Sequence, residues 1–253
     1  LPKSPMISVT GWCSMVAPYA WPEGLTVRTV PCVPGATFSR KVWAELWITS
    51  TWSSGPAEHN SNFFPASFPF YNVTTSLDVT TLHRHTKARG LSFYYALIYA
   101  TLHVMNGLPD FLYKIRGEQI ILHDHLDPSF VVPNGDTHLL KIVNVPYGGT
   151  LEEFCSRCSH QVAVQHAPFP AGTEEARDDL VYISCLPWLS FTSLSNEMDC
   201  NPDDSIPRVT WGKYEARDGR LLLPYSVQLN HRLLDGWHLG ELVNGVQAFL
   251  DAF

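Results

Sequence analysis

The last forty residues leave the chain few ways to fold. Glu215-Ala216-Arg217-Asp218-Gly219-Arg220 contains an Asp-Gly pair. Such pairs suit the two consecutive positive-φ positions of a tight hairpin turn. Leu221 to Leu229 then reads as a strand, and Asn230-His231-Arg232-Leu233-Leu234-Asp235-Gly236 as a turn. A helix starts near Gly236, with Leu239, Leu242, Val243, Val246 and Phe249 on one apolar face. A hairpin strand that runs through a short turn into an amphipathic helix needs a sheet for the strand to join. It also needs a sheet face for the helix to cover.

Earlier segments repeat this mixture. Val73 to Val79 alternates and is β-branched, so it predicts a strand. Leu91, Tyr94, Tyr95, Ile98, Leu102 and Met105 recur at helical spacing over residues 91–106, and Gly107-Leu108-Pro109 stops the run. Gly117-Glu118 between Phe111–Ile115 and Gln119–Leu122 predicts a hairpin. Residues 138–146 form an apolar strand, and Thr150-Leu151-Glu152-Glu153 opens a helix with a capping box. Strands are expected over 181–193 and 206–214. The fold class is therefore α+β, a large mixed or antiparallel sheet with helices packed on it. Residues 1–35, rich in Pro, Gly and aromatics without a period, form an irregular extension, and residues 36–253 form a single domain. Residues 50–70 read as an aromatic loop that packs either on a substrate pocket or as a satellite hydrophobic cluster.

Composition removes several classes of function. Of 253 residues, 45% are hydrophobic and 16% charged, enough to build a core and too apolar for a disordered chain. A net charge of -7 argues against a broad nucleic-acid surface. No run of ~18 apolar residues predicts a membrane span. The start, Leu1-Pro2-Lys3-Ser4-Pro5, lacks a signal-peptide pattern, so a cytoplasmic location is expected. Six cysteines, Cys155 and Cys158 among them as a lone C-x-x-C, read as reduced thiols. The histidines, including His123-Asp124-His125, show no metal-ligand spacing, so no metal is expected.

His231 is the residue that points to chemistry. It sits at a strand end, where a side chain can reach a cleft, and imidazole is the group best suited to moving a proton near neutral pH. Asp235, followed by Gly236, suggests a tight turn held by a carboxylate or a cap on the last helix. Other segments extend the pattern. They are Ser184-Cys185-Leu186-Pro187-Trp188 with Ser190-Phe191-Thr192-Ser193, Thr210-Trp211-Gly212-Lys213-Tyr214, Leu221 to Gln228, Leu77-Asp78-Val79-Thr80 and Leu126-Asp127-Pro128-Ser129-Phe130. In this order, from about Arg40 to the end, the chain resembles the chloramphenicol acetyltransferases. Those enzymes carry His-His-x-x-x-Asp-Gly where this chain has Asn230-His231-Arg232-Leu233-Leu234-Asp235-Gly236.

The resemblance implies a coenzyme A-dependent O-acetyltransferase with a two-layer sandwich fold. His231 would be the base that activates an acceptor hydroxyl toward acetyl-coenzyme A. Ser184 would hydrogen-bond the oxyanion, Thr210 would hold a water nearby, and Asp235 would pair with Arg40 to fix the turn. Trp188, Lys213 and Tyr214 would line the coenzyme A channel, and Tyr71 the acceptor pocket. The partners implied are a small hydroxylated molecule such as chloramphenicol and two further copies of the chain, with active sites between subunits of a homotrimer. Each residue also has a plain structural reading: a backbone-bonded serine, core aromatics, a helix cap. Three other functions stay open. One is a repurposed relative that uses the same base for carbon–carbon bond formation, cyclisation or thioester rearrangement without coenzyme A. The others are a non-catalytic binder and a dihydrolipoyl acyltransferase core.

Overall fold

A computed structural model describes residues 68–117, 119–135, 139–170, 177–197 and 200–253, all within one compact unit, Ile48–Phe253. Arg40, the 35/36 boundary and most of the 50–70 loop lie outside the described residues. One sheet dominates, in the order β1 (Phe70–Asp78), β9 (Arg220–Asn230), β7 (Arg208–Gly212), β6 (Leu180–Leu186), β4 (Asp127–Pro133), β5 (Leu140–Asn144), with β8 (Glu215–Arg217) pairing β9. The pairings β4–β6 and β6–β7 are parallel and the others antiparallel, so the sheet is mixed. The hairpin β2 (Tyr113–Arg116) and β3 (Gln119–Leu122) stands apart as a two-stranded sheet, entered through a 3-10 turn at Pro109–Leu112. The β8–β9 turn places Asp218 at φ 51° and Gly219 at φ 78°, as the Asp-Gly pair predicts.

Register shows how the period of two divides the sheet. Val227, Val209 and Ile183 stand in one cross-strand row, and Tyr225, Trp211 and Cys185 in the next. These rows belong to the buried face, with Leu77, Leu223, Leu229, Phe130 and Val143. Trp211 and Tyr225 stack there with ring planes 7° apart. Helix α2 (Phe93–Asn106) is the central helix of the second layer, against α1 (Thr80–Arg89), α3 (Leu151–Val164) and α4 (Gly236–Asp251). Ala96, Leu97, Ile98, Ala100, Leu102 and Met105 are buried on α2. Gly245 lets α4 approach it closely, since a Cβ there would lie 2.7 Å from Val104 Cγ1.

Caps follow local sequence. Ser92 caps α2 by accepting from the Tyr95 N–H, and Thr150 with Glu153 forms the expected capping box on α3. Helix α1 has no side-chain cap at Val79, but the Asp78 carboxylate accepts from the Thr80 N–H at 3.0 Å and its hydroxyl at 2.5 Å. Cys155 and Cys158 lie on the buried side of α3 and carry no disulfide. Burial pushes these thiols up to about 11 and about 12, so the C-x-x-C is core, without the lowered pKa of a reactive pair. Among the described residues no group of His, Cys, Asp and Glu could hold a metal ion. No described helix is long and apolar enough to cross a membrane.

Candidate active site

The other face of the sheet is polar. Ser184, Thr210, Ser226 and Thr74 follow one another across β6, β7, β9 and β1 in a single row. The Ser226 hydroxyl donates to Asn72 Oδ1 at 2.7 Å and accepts from Thr74 at 3.1 Å. Ser184 and Thr210 form the floor of a cavity of about 780 Å³, walled by Tyr182, Arg208, Asn196 and Phe169 among others. The loop after β6 folds back over this face and is pinned at three points. Lys213 N–H donates to Leu189 C=O at 2.7 Å, Asn72 Nδ2 to Leu194 C=O at 2.5 Å, and the Thr210 hydroxyl to Asn196 Oδ1 at 3.0 Å. Thr210 is thus tied to the covering loop by its own hydroxyl.

Arg208 lines the cavity but its charge is committed. Its guanidinium donates to Asp204 Oδ2 at 2.6 Å and lies 5.4 Å from the Tyr182 ring centre. Tyr182 and Arg208 each sit two residues before Ser184 and Thr210, so period-two spacing alone puts them on the same face. Asn196 lies on a loop and has no such signal.

His231 occupies the far end of β9. Its backbone N–H donates to Pro69 C=O at 2.7 Å, which extends the β1 ladder by one residue. Its ring meets Tyr71 edge-on, centroids 4.9 Å apart. Burial, and secondarily the Asp235 carboxylate, raises the Tyr71 phenol well above its ordinary value. Asp235 is the N-cap of α4. Its carboxylate accepts from the Trp237 N–H at 2.8 Å and the His238 N–H at 3.3 Å. His238 Nδ1 returns the capping box by accepting from the Asp235 N–H at 3.0 Å.

Trp188, Lys213 and Tyr214 collect at the opposite end, just past the C-terminal ends of β6 and β7. Trp188 is 74% exposed. The Tyr214 hydroxyl lies 3.2 Å from His83 Nε2, and its ring meets His83 and Phe93 edge-on.

The expected residues thus fall into two groups within one chain. Ser184 and Thr210 are neighbours, with the Trp188–Lys213–Tyr214 cluster beyond them. His231, Tyr71 and Asp235 form the second group. From the Ser226 row to His231 is five residues along β9, ~17 Å, and from β9 to β6 is two strands, ~10 Å. His231 and Ser184 of one chain are therefore about 19 Å apart, too far to meet on one reacting carbon.

Comparisons with known proteins identify the family. The family model for chloramphenicol acetyltransferase matches residues 48–247. Chloramphenicol acetyltransferase 2 of Escherichia coli is 31% identical over 184 residues, covering 72% of this chain and 85% of that protein. The Klebsiella sp. enzyme is 28% identical over 197 residues, covering 77% and 89%. A solved chloramphenicol acetyltransferase superposes with a TM-score of 0.70 at 26% identity, covering 76% of this chain and 94% of that one. The dihydrolipoamide acetyltransferase of Azotobacter vinelandii shares the fold, with a TM-score of 0.59 at 16% identity, covering 99% of this chain and 97% of that chain. The chain belongs to the chloramphenicol acetyltransferase family, and is an acyltransferase of the acetyl-transferring kind.

Proposed function

We propose that this acetyltransferase moves the acetyl group of acetyl-coenzyme A to a hydroxyl of a small molecule resembling chloramphenicol, in sites that two copies of the chain share. The observation that carries this reading is the separation of the two residue groups. A Ser–Thr floor under the cavity, with a histidine about 19 Å away at a strand end, supports a site whose histidine comes from a second copy. The homotrimer implied by the resemblance would provide three such sites.

In this reading His231 takes the proton of the acceptor hydroxyl as its oxygen attacks the thioester carbonyl carbon. The carbonyl π electrons become an oxyanion, and the Ser184 hydroxyl donates to it, a contact that strengthens as charge develops. The C–S bond then breaks, and the sulfur takes the proton from the His231 imidazolium, releasing coenzyme A as thiol. Thr210, whose hydroxyl donates to Asn196, would hold a water near this centre. Trp188, Lys213 and Tyr214 would hold coenzyme A, an aromatic surface and a cation suiting its adenine and phosphates. Tyr71, against the His231 ring, would touch the acceptor. Asp235 fixes the turn as the cap of α4, and a pair with Arg40 would add to that.

The test is thiol release from acetyl-coenzyme A with chloramphenicol as acceptor. Release is expected from the wild type and should vanish in His231→Ala. No release by the wild type, with no coenzyme A binding by calorimetry, would remove this reading and favour a repurposed member of the family.

A further inference from the structure

Asn230 stands immediately before His231, and its side chain makes three hydrogen bonds. It is 4% exposed. Nδ2 donates to Pro202 C=O at 2.9 Å and to Asp204 C=O at 2.8 Å, while Oδ1 accepts from the Arg232 N–H at 2.9 Å. Two donors and one acceptor at these positions are what a carboxamide offers. A carboxylate has no donor, and an imidazole cannot reach two carbonyls from one atom.

Arg232 grips the same loop from the other side. Its Nη1 donates to Asp203 Oδ1 at 2.8 Å and to Pro202 C=O at 3.2 Å. Residues on both sides of His231 are therefore tied to residues 202–204, which lie 26 to 30 positions away in sequence. That loop is itself braced, since Asp204 accepts from Ile206 N–H at 3.2 Å and pairs with Arg208 at 2.6 Å. Asn230 also sits on the polar face of β9, in step with Gln228 and Ser226. His231 itself sits where the β9 ladder ends, so the ladder restrains its backbone on one side only.

We propose that Asn230 is a positioning residue for His231, acting with the Arg232–Asp203 pair to clamp the histidine turn onto the 202–204 loop. The clamp takes over support that a strand end cannot supply. A base must stay within hydrogen-bond reach of the proton it takes, so loosening the turn costs the chemical step and spares ground-state binding. This inference rests on His231 being the base of the proposed reaction.

The experiment compares wild type with Asn230→Ala and Asp203→Ala. Asp203 is partly exposed, and besides its pair with Arg232 it accepts from the exposed Gly117 N–H at 3.2 Å, so this variant decides the matter if the buried one does not fold. Two quantities are read: steady-state constants with acetyl-coenzyme A and chloramphenicol, and the rate of His231 carbethoxylation by diethyl pyrocarbonate, followed by mass spectrometry. The expected result is a roughly 10-fold or greater fall in kcat with both KM values within about twofold. Carbethoxylation at His231 should speed up several-fold while the exposed His160 on α3 is unchanged. Wild-type kcat together with unchanged His231 reactivity in Asp203→Ala would overturn the proposal, as would equal acceleration at His160, which marks general loosening. If the wild type releases no thiol, the acyltransfer reading fails, and the carbethoxylation rates still decide whether the clamp holds His231.

Discussion

Ser184 is the residue whose plain reading and chemical reading differ most. A serine in an apolar strand often bonds to backbone, but this one lines a cavity beside Thr210. If it donates to an oxyanion, Ser184→Ala should fold normally and lose about 10²-fold in kcat, as for removal of one oxyanion donor. Unchanged turnover in a correctly folded variant would take Ser184 out of the mechanism. Asp235 shows how a local pattern is legible without its full meaning. The sequence places an acidic residue before Gly236 at a helix start, and the structure makes it the α4 cap. The pair with Arg40 that the resemblance implies would not be readable from residues 230–236, because a partner about 195 positions away leaves no local pattern. Asn230 is similar. Its substitution for the family's first histidine is visible in the sequence, but its three bonds, to residues 202, 204 and 232, become visible only when the 202–204 loop is in place.

At the scale of elements, the legible pieces are those with strong periodicity or caps: α2, α3, α4 and the β8–β9 hairpin. Helix α1 leaves no periodic signal because its buried side is only Leu82 and the polar Thr86. Strand β4 escaped because Asp127-Pro128-Ser129 breaks the apolar pattern at its start. Asp127 is buried there by design, accepting from the Tyr147 N–H at 2.7 Å and from Arg177 at 2.6 Å. The strand expected over 181–193 ends at Leu186, because Pro187 removes an N–H and turns the chain into the loop that covers the cavity. The β2–β3 hairpin carries a burden that periodicity does not show. Lys114 is 0% exposed and donates to Phe111 C=O at 2.8 Å. Burial pushes its ammonium down to about 8, against the opposing pull of Asp178, Asp179 and Asp204. The unfolded chain, with the ordinary lysine value near 10.5, binds the proton more tightly, so stability rises with pH between about 8 and 10.5. Denaturant titrations of wild type and Lys114→Met at pH ~7.5 and ~9.5 should show the wild type gaining about 2 kcal/mol relative to the variant. A constant difference would mean that Lys114 keeps its proton in the folded state.

At the scale of the whole molecule, the mixed sheet has one consequence that no single motif contains. Because β9 runs antiparallel to β7, the strand that ends in His231 carries it toward the N-terminal end of β7. The parallel pair β6–β7 carries Ser184 and Thr210 toward Trp188 and Tyr214 at the other end. The motifs are read in the correct order from sequence, yet sequence order does not reveal that strand direction splits them. That division gives a test of assembly independent of the acceptor's identity. His231→Ala and Ser184→Ala chains, each nearly inactive alone, are mixed after reversible dissociation and allowed to reassociate. If each site takes its histidine from one copy and its serine from the next, random pairing restores both residues at about one quarter of the sites. Thiol release should then recover to about that fraction of wild type. Should the two residues act within one chain, every reassembled site would still lack one of them, and the mixture would stay at the average of the two variants.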